Sequence, residues 1–132
     1  MLETLVKDKV PVLDHEKLDV YHIAIEFVIL SDAIIDHIPR GRGYLSDQLQ
    51  RAALSISLNI AEGAGEYAID EKVRFYRMAK RSATECAGIL DVCQKLQLLD
   101  EQKYIKGREL IVRIVSILVL SLTVQKLKRL II

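Results

Sequence analysis

The chain has no tryptophan and only two phenylalanines. Its core cannot be built on large aromatic rings, so Leu, Ile, Val and Ala must fill it. Two prolines and six clustered glycines leave few places to turn, which argues for few, long elements. No strand alternation and no internal repeat is present. The two cysteines, Cys86 and Cys93, are seven residues apart. Two helical turns separate such residues by about 10 Å, beyond the reach of a disulfide. No secretory pattern opens the sequence, so both are expected as reduced, core-facing thiols in a cytoplasmic protein. The most apolar run, Leu110–Leu122, is shorter than the ~20 residues that span a bilayer, and Arg113 interrupts it. It is expected as a helix buried on more than one side, with no membrane role.

What is present is a single domain's worth of chain. Of its 132 residues 51% are hydrophobic and 28% charged, a globular balance. The net charge of +1 conceals a division. Residues 1–71 carry six Lys/Arg against thirteen Asp/Glu, whereas residues 72–132 carry thirteen against five. Such a split marks either an interaction surface or charges that pair inside the fold or between subunits.

Residues 1–13 lack a clear period, and residues 1–15 read as an N-terminal arm; residues 16–132 read as four helices. The first is predicted over Glu16–His37, ending before Pro39. Tyr21, Ala24, Val28 and Ile35 form one apolar stripe, and Val20, Ile23, Phe27, Leu30 and Ile34 a second. One core needs only one stripe, so the excess points to a homo-oligomer. After a turn at Arg40–Tyr44, a second helix is predicted from Leu45, with Ser46 as N-cap, to Ala64. Gly63 and Gly65 supply a left-handed stop. A third runs from Ile69–Asp70 to Leu96, with Phe75, Met78, Ala79, Ser82, Cys86, Ile89, Leu90 and Cys93 inward. A fourth spans Glu101–Leu130, with Lys126, Lys128 and Arg129 favoured by the dipole at its end. Short loops between long helices predict an all-α, antiparallel up-down-up-down four-helix bundle.

Two surfaces are candidates for function. Gln48, Arg51, Ser55, Asn59 and Glu62 recur three or four apart, so they stack on one stripe of the second helix. They read either as a ligand site or as a hydrogen-bond network that locks helix register. On the third helix Lys72, Arg74, Arg77, Lys80 and Arg81 fall within ten residues with no acid among them. Arg74, Arg77 and Arg81 share a face, and Tyr76 is near enough in sequence to stack. Arg40 and Arg42 lie in a glycine-rich loop that can approach a phosphate backbone closely. This composition suits salt-sensitive, sequence-independent phosphate contacts; the bland alternative is a solvated face. His15, His22 and His37 lack the spacing of metal ligands, and no metal or cofactor is expected. Neither cysteine has a nearby histidine, no Gly-x-Ser-x-Gly or phosphate-loop pattern occurs, and Glu62 has no partner carboxylate. No enzyme activity is expected.

The segment RAALSISLNIAEGAGE, residues 51–66, resembles the signature of a small bacterial four-helix-bundle family. That family includes proteins encoded by intervening sequences in 23S ribosomal RNA genes, and its relatives include accessory variability proteins of diversity-generating retroelements. Leu18, Val20, Tyr21, Ala24, Pro39, Leu45-Ser46 and Gln48 upstream carry the likeness, as do Phe75, Ala79, Ser82 and Glu85 downstream, over roughly residues 16–128. Two departures add positive charge. Arg40-Gly41-Arg42-Gly43 stands where the family often has an acid, and Arg81-Ser82 where it often has Gly-Ser. The resemblance implies rings of five bundles that bind RNA or DNA and a reverse transcriptase. Arg40, Arg42, Arg74, Arg77, Lys80 and Arg81 are the expected nucleic-acid contacts. The rival expectation is an oligomeric protein-interaction scaffold without a nucleic-acid role.

Overall fold

Helix boundaries in this chain are set by backbone carbonyls and the groups that cap them. The structure, a computed structural model, describes residues 10–131; the part of the expected arm before residue 10 lies outside them. A 3-10 turn over Asp14–Lys17 precedes helix α1, Asp19–Ile35. The helix expected from Glu16 is broken at Leu18, which is extended and donates its N–H to His15 O at 3.0 Å. The His15 ring meets the Tyr21 ring edge-on at 4.5 Å and holds that break. A second 3-10 turn, Arg40–Arg42, follows Pro39 and feeds directly into α2, Gly43–Ala64. Because the turn supplies the first helical residues, α2 has no side-chain N-cap, and Ser46 lies inside it. Helix α3 spans Ile69–Lys95 and α4 spans Glu101–Ile131. No strand occurs among the described residues.

The stop of α2 departs from expectation. Gly65 has φ −82°, and no glycine among the described residues has a positive φ. Lys72 caps the helix end instead: its Nζ donates to Gly63 O at 2.8 Å, which also accepts the Glu66 N–H, and to Ala64 O at 3.3 Å. The left-handed residue is Gln97, with φ 60°, after α3. Leu98 N–H reaches Cys93 O and Gln97 N–H reaches Gln94 O, the paired bonds of a Schellman stop. Helix α4 starts on Asp100, whose Oδ1 accepts the Lys103 N–H at 2.8 Å. That bond, with the Lys103 side chain, holds the Asp100 carboxyl below its ordinary range.

The four helices form a four-helix bundle in which each packs on the next and α4 packs back on α1. Asp70 at the start of α3 pairs with Arg129 near the end of α4, and Tyr104 near the start of α4 donates to Asp91 on α3 at 2.7 Å. The core is aliphatic as expected, with Phe27 the one phenylalanine fully inside. Leu49, Ala52, Ala53, Ile56 and Ile60 are buried, as are both cysteines. On α3 the inward set shifts. Val73, Tyr76 and Ala83 are buried, Phe75 and Ser82 are half-buried, and Met78 is exposed. Both apolar stripes of α1 reach one core: Val20, Ile23, Phe27 and Ile34 are buried, and Tyr21, Val28, Leu30 and Ile35 pack against them.

Helix α4 is not buried on more than one side. Leu110, Ile111, Ile114 and Leu118 enter the core, but Ile105, Val112, Val119, Leu120 and Leu127 face outward. The helix is long and apolar enough to cross a membrane by length and composition, and only 28% of its most apolar window is buried. A helix apolar all round carries a second face that its own bundle does not cover.

Candidate functional site

The polar stripe of α2 resolves into a link between α2 and α3. Gln48 Nε2 donates to Glu85 Oε2 at 2.8 Å, and Ser82 Oγ donates to Ser55 Oγ at 2.9 Å. Asn59 Nδ2 donates to Ser55 O and to its Oγ. Arg51 and Glu62 are exposed and make no side-chain hydrogen bond among the described residues. The stripe fixes the register of two helices; Glu62 instead lines a shallow hollow of about 380 Å³ with Leu13, Asp14, His15 and Glu66.

The basic residues of α3 converge with two from α4. Asp70, Val73, Arg74, Arg77, Met78, Arg81 and Arg129 line an open groove of about 480 Å³. Next to it, Val73, Arg77, Lys80, Val119, Leu122, Thr123, Lys126 and Arg129 line a second of about 230 Å³. Val73, Arg77 and Arg129 belong to both. Six cations thus surround the pair of grooves against one carboxylate, Asp70. Three of the α3 cations face the same way because their offsets are three and four, and this is why Met78, between them, is exposed.

The cations differ in how far they are engaged. Arg74 donates through Nη2 to Glu71 Oε2 at 2.9 Å, which lowers the Glu71 carboxyl and raises the Arg74 guanidinium. Its guanidinium also lies 4.5 Å over the Phe75 ring. Arg129 is paired with Asp70. Arg77, Lys80, Arg81 and Lys126 have no ion pair among the described residues. These four cations stand over a floor that includes Val73, Met78, Val119 and Leu122.

Other sequence-predicted residues fall elsewhere. Lys72 is occupied by the α2 carbonyls, and burial, then the charge of Lys128, depresses its ammonium. Tyr76 is buried beneath Gly63, its hydroxyl pushed up by burial, so its face cannot receive a base. Arg40 and Arg42 precede α2, and Arg42 Nη1 donates to Tyr44 Oη at 3.1 Å. Gly63, which touches Tyr76, is twenty residues further along α2, or about 30 Å of helix. The two loop arginines therefore form a separate patch. Lys126 and Arg129 were missed as site residues, since sequence spacing reveals neighbours on one helix and not across two.

The chemistry available is ionic recognition. Among the described residues no group of three His, Cys, Asp or Glu side chains is placed to hold a metal. Burial and the Glu85 charge push the Cys86 thiol up to about 12, far from a thiolate nucleophile. His22 and His37 donate to the backbone carbonyls of Glu16 and Ala33.

No curated protein matches the chain. A family model matches it over residues 16–119: 23S rRNA-intervening sequence protein.

Proposed function

Since the chain belongs to the 23S rRNA-intervening sequence protein family, we propose that it is a non-enzymatic, self-assembling bundle that binds nucleic acid through the basic face of α3 and α4. The observation that carries this reading is the set of six cations around two adjoining grooves, four of them without a protein anion among the described residues. Arg77, Lys80, Arg81 and Lys126 contact phosphates directly. Arg74 and Arg129 do so by exchanging their carboxylates for phosphate oxygens. Arg40 and Arg42 form a second phosphate contact at a distance. A face of this kind suits an accessory factor that holds RNA or DNA for a reverse transcriptase or another processing enzyme, in the cytoplasm, without cofactor, metal or membrane.

The same reading takes the helices as antiparallel in up-down-up-down order, supported by the pairings of Asp70 with Arg129 and Tyr104 with Asp91. Self-assembly is supported by the uncovered apolar face of α4; the family likeness favours five copies.

The test is fluorescence anisotropy with labelled RNA and DNA at about 50 and 200 mM salt. Neutralising one phosphate contact on duplex DNA removes about 0.9 from the log–log salt slope. Arg77→Ala with Arg81→Ala and Lys126→Ala weakens binding and flattens that slope, whereas Lys72→Met leaves both unchanged. Absence of binding at the lower salt overturns the reading and leaves the protein-interaction scaffold as its replacement.

A further inference from the structure

The two basic grooves meet at Arg77, and both have apolar floors. Met78 lies among the cations of the larger groove, and Val119 and Leu122 among those of the smaller. Met78 is 38% exposed and Val119 44%. A phosphate gains nothing from such surface, whereas the face of a nucleobase is drawn to it. The larger groove also carries a flat seat. The Arg74 guanidinium lies 4.5 Å over the Phe75 ring, and its Nη1 donates to Met78 Sδ at 3.8 Å. Ring and thioether hold the guanidinium on the groove wall, and bases stack on arginine planes as they do on aromatic rings.

The position of the shared cations sets how a strand would cross. Arg77 and Arg129 line both grooves, and Arg129 is held by Asp70, whereas Arg77 has no ion pair among the described residues. One guanidinium cannot fully serve a separate phosphate in each groove. It can serve the single phosphate that joins two nucleotides, one on either side of it. From Arg74 to Arg81 helix α3 rises about 10 Å, the length of about three nucleotides stacked at roughly 3.4 Å each. The site is therefore sized for a short run of one strand. Resting on the nucleic-acid reading above, we propose that the ligand is single-stranded: each groove seats one base, and Arg77 holds the phosphate between them. Arg74 and Arg81 on one side, and Lys80 and Lys126 on the other, take the flanking phosphates. The bases of a duplex are paired and stacked inside it, so a duplex meets the cations without reaching the floors.

The test is fluorescence anisotropy of the full chain with three labelled ligands: a short single strand, its duplex, and a strand of the same length in which every base is replaced by an abasic site. The base-bearing strand binds at least about fivefold tighter than the abasic one, the low end of the stacking range because the seats are not aromatic rings. Both strands show the same salt slope, since their phosphates are the same. At about 200 mM salt, where phosphate contacts weaken, the single strand also binds tighter than the duplex. Met78→Ser with Val119→Ser, both at exposed positions, abolishes the preference for bases and leaves abasic binding unchanged; circular dichroism checks that the variant keeps its helices. The abasic comparison is made on the native chain, so it decides the matter even where that variant unfolds. An abasic strand bound as tightly as the base-bearing one, a duplex bound as tightly at the higher salt, or a folded variant that keeps the full preference overturns the seating of bases and leaves the phosphate contacts standing. A native chain that binds none of the three at about 50 mM salt overturns the basic-face reading itself.

Discussion

Gly63 lies against the Cδ1–Cε1 edge of the Tyr76 ring, so near that a Cβ added at residue 63 would stand 2.6 Å from Tyr76 Cε1 and 3.1 Å from Phe75 Cβ. Glycine is needed there for closeness, since its backbone is ordinary helix. Gly63→Ala forces the buried ring aside and is expected to cost about 1–3 kcal/mol, the usual range for overpacking. Urea melts measure the loss, and Tyr76→Leu in the same chain recovers part of it. Equal stability of Gly63→Ala and the native chain would show that the ring yields freely.

Asp100 gives the fold an acid-sensitive joint. Its carboxylate accepts the Lys103 N–H at the start of α4, and its pKa is lowered by that bond first. A group whose pKa is depressed on folding stabilises the fold above its ordinary value, and that contribution is lost as pH falls through the lowered one. Asp100→Ala is therefore expected to lower the melting temperature at neutral pH. The difference should close in strong acid, where the native carboxyl is protonated as well. Parallel thermal melts across that range decide it; a difference that persists unchanged in acid would assign the effect to packing.

Asp70 restrains the basic face. Among the described residues it is the one acid lining either groove, and it holds Arg129. The pair is exposed, and such pairs contribute only about 0–1 kcal/mol to stability. Asp70→Asn is expected to leave the melt almost unchanged while tightening binding of labelled RNA or DNA several-fold at low salt. Weaker binding in that variant would mean that Asp70 orients Arg129 productively.

The helices were legible because apolar spacing and the scarcity of glycine and proline speak directly to backbone. The inward positions Leu49, Ile56, Ile60, Cys86 and Cys93 followed from that spacing. Capping was less legible. Lys72 closes α2 from the next helix, and Gln97 takes a conformation for which glycine is the usual signal, so neither announces its role locally. Met78 was assigned inward because methionine is apolar, yet it shares its face with Arg74 and Arg81. The basic face was half legible: α3 displayed its arginines in one run, whereas Lys126 and Arg129 resembled a favourable helix end. Helix α4 misled most, since an apolar run looks the same in sequence whether its second face is covered within the chain or left outward.

Arg77 stands on the wall shared by the two grooves. Its guanidinium has one set of five N–H donors to distribute, so anions seated on either side draw on the same fork. On the proposed reading the two grooves compete for Arg77, so substitutions on opposite walls are expected not to sum.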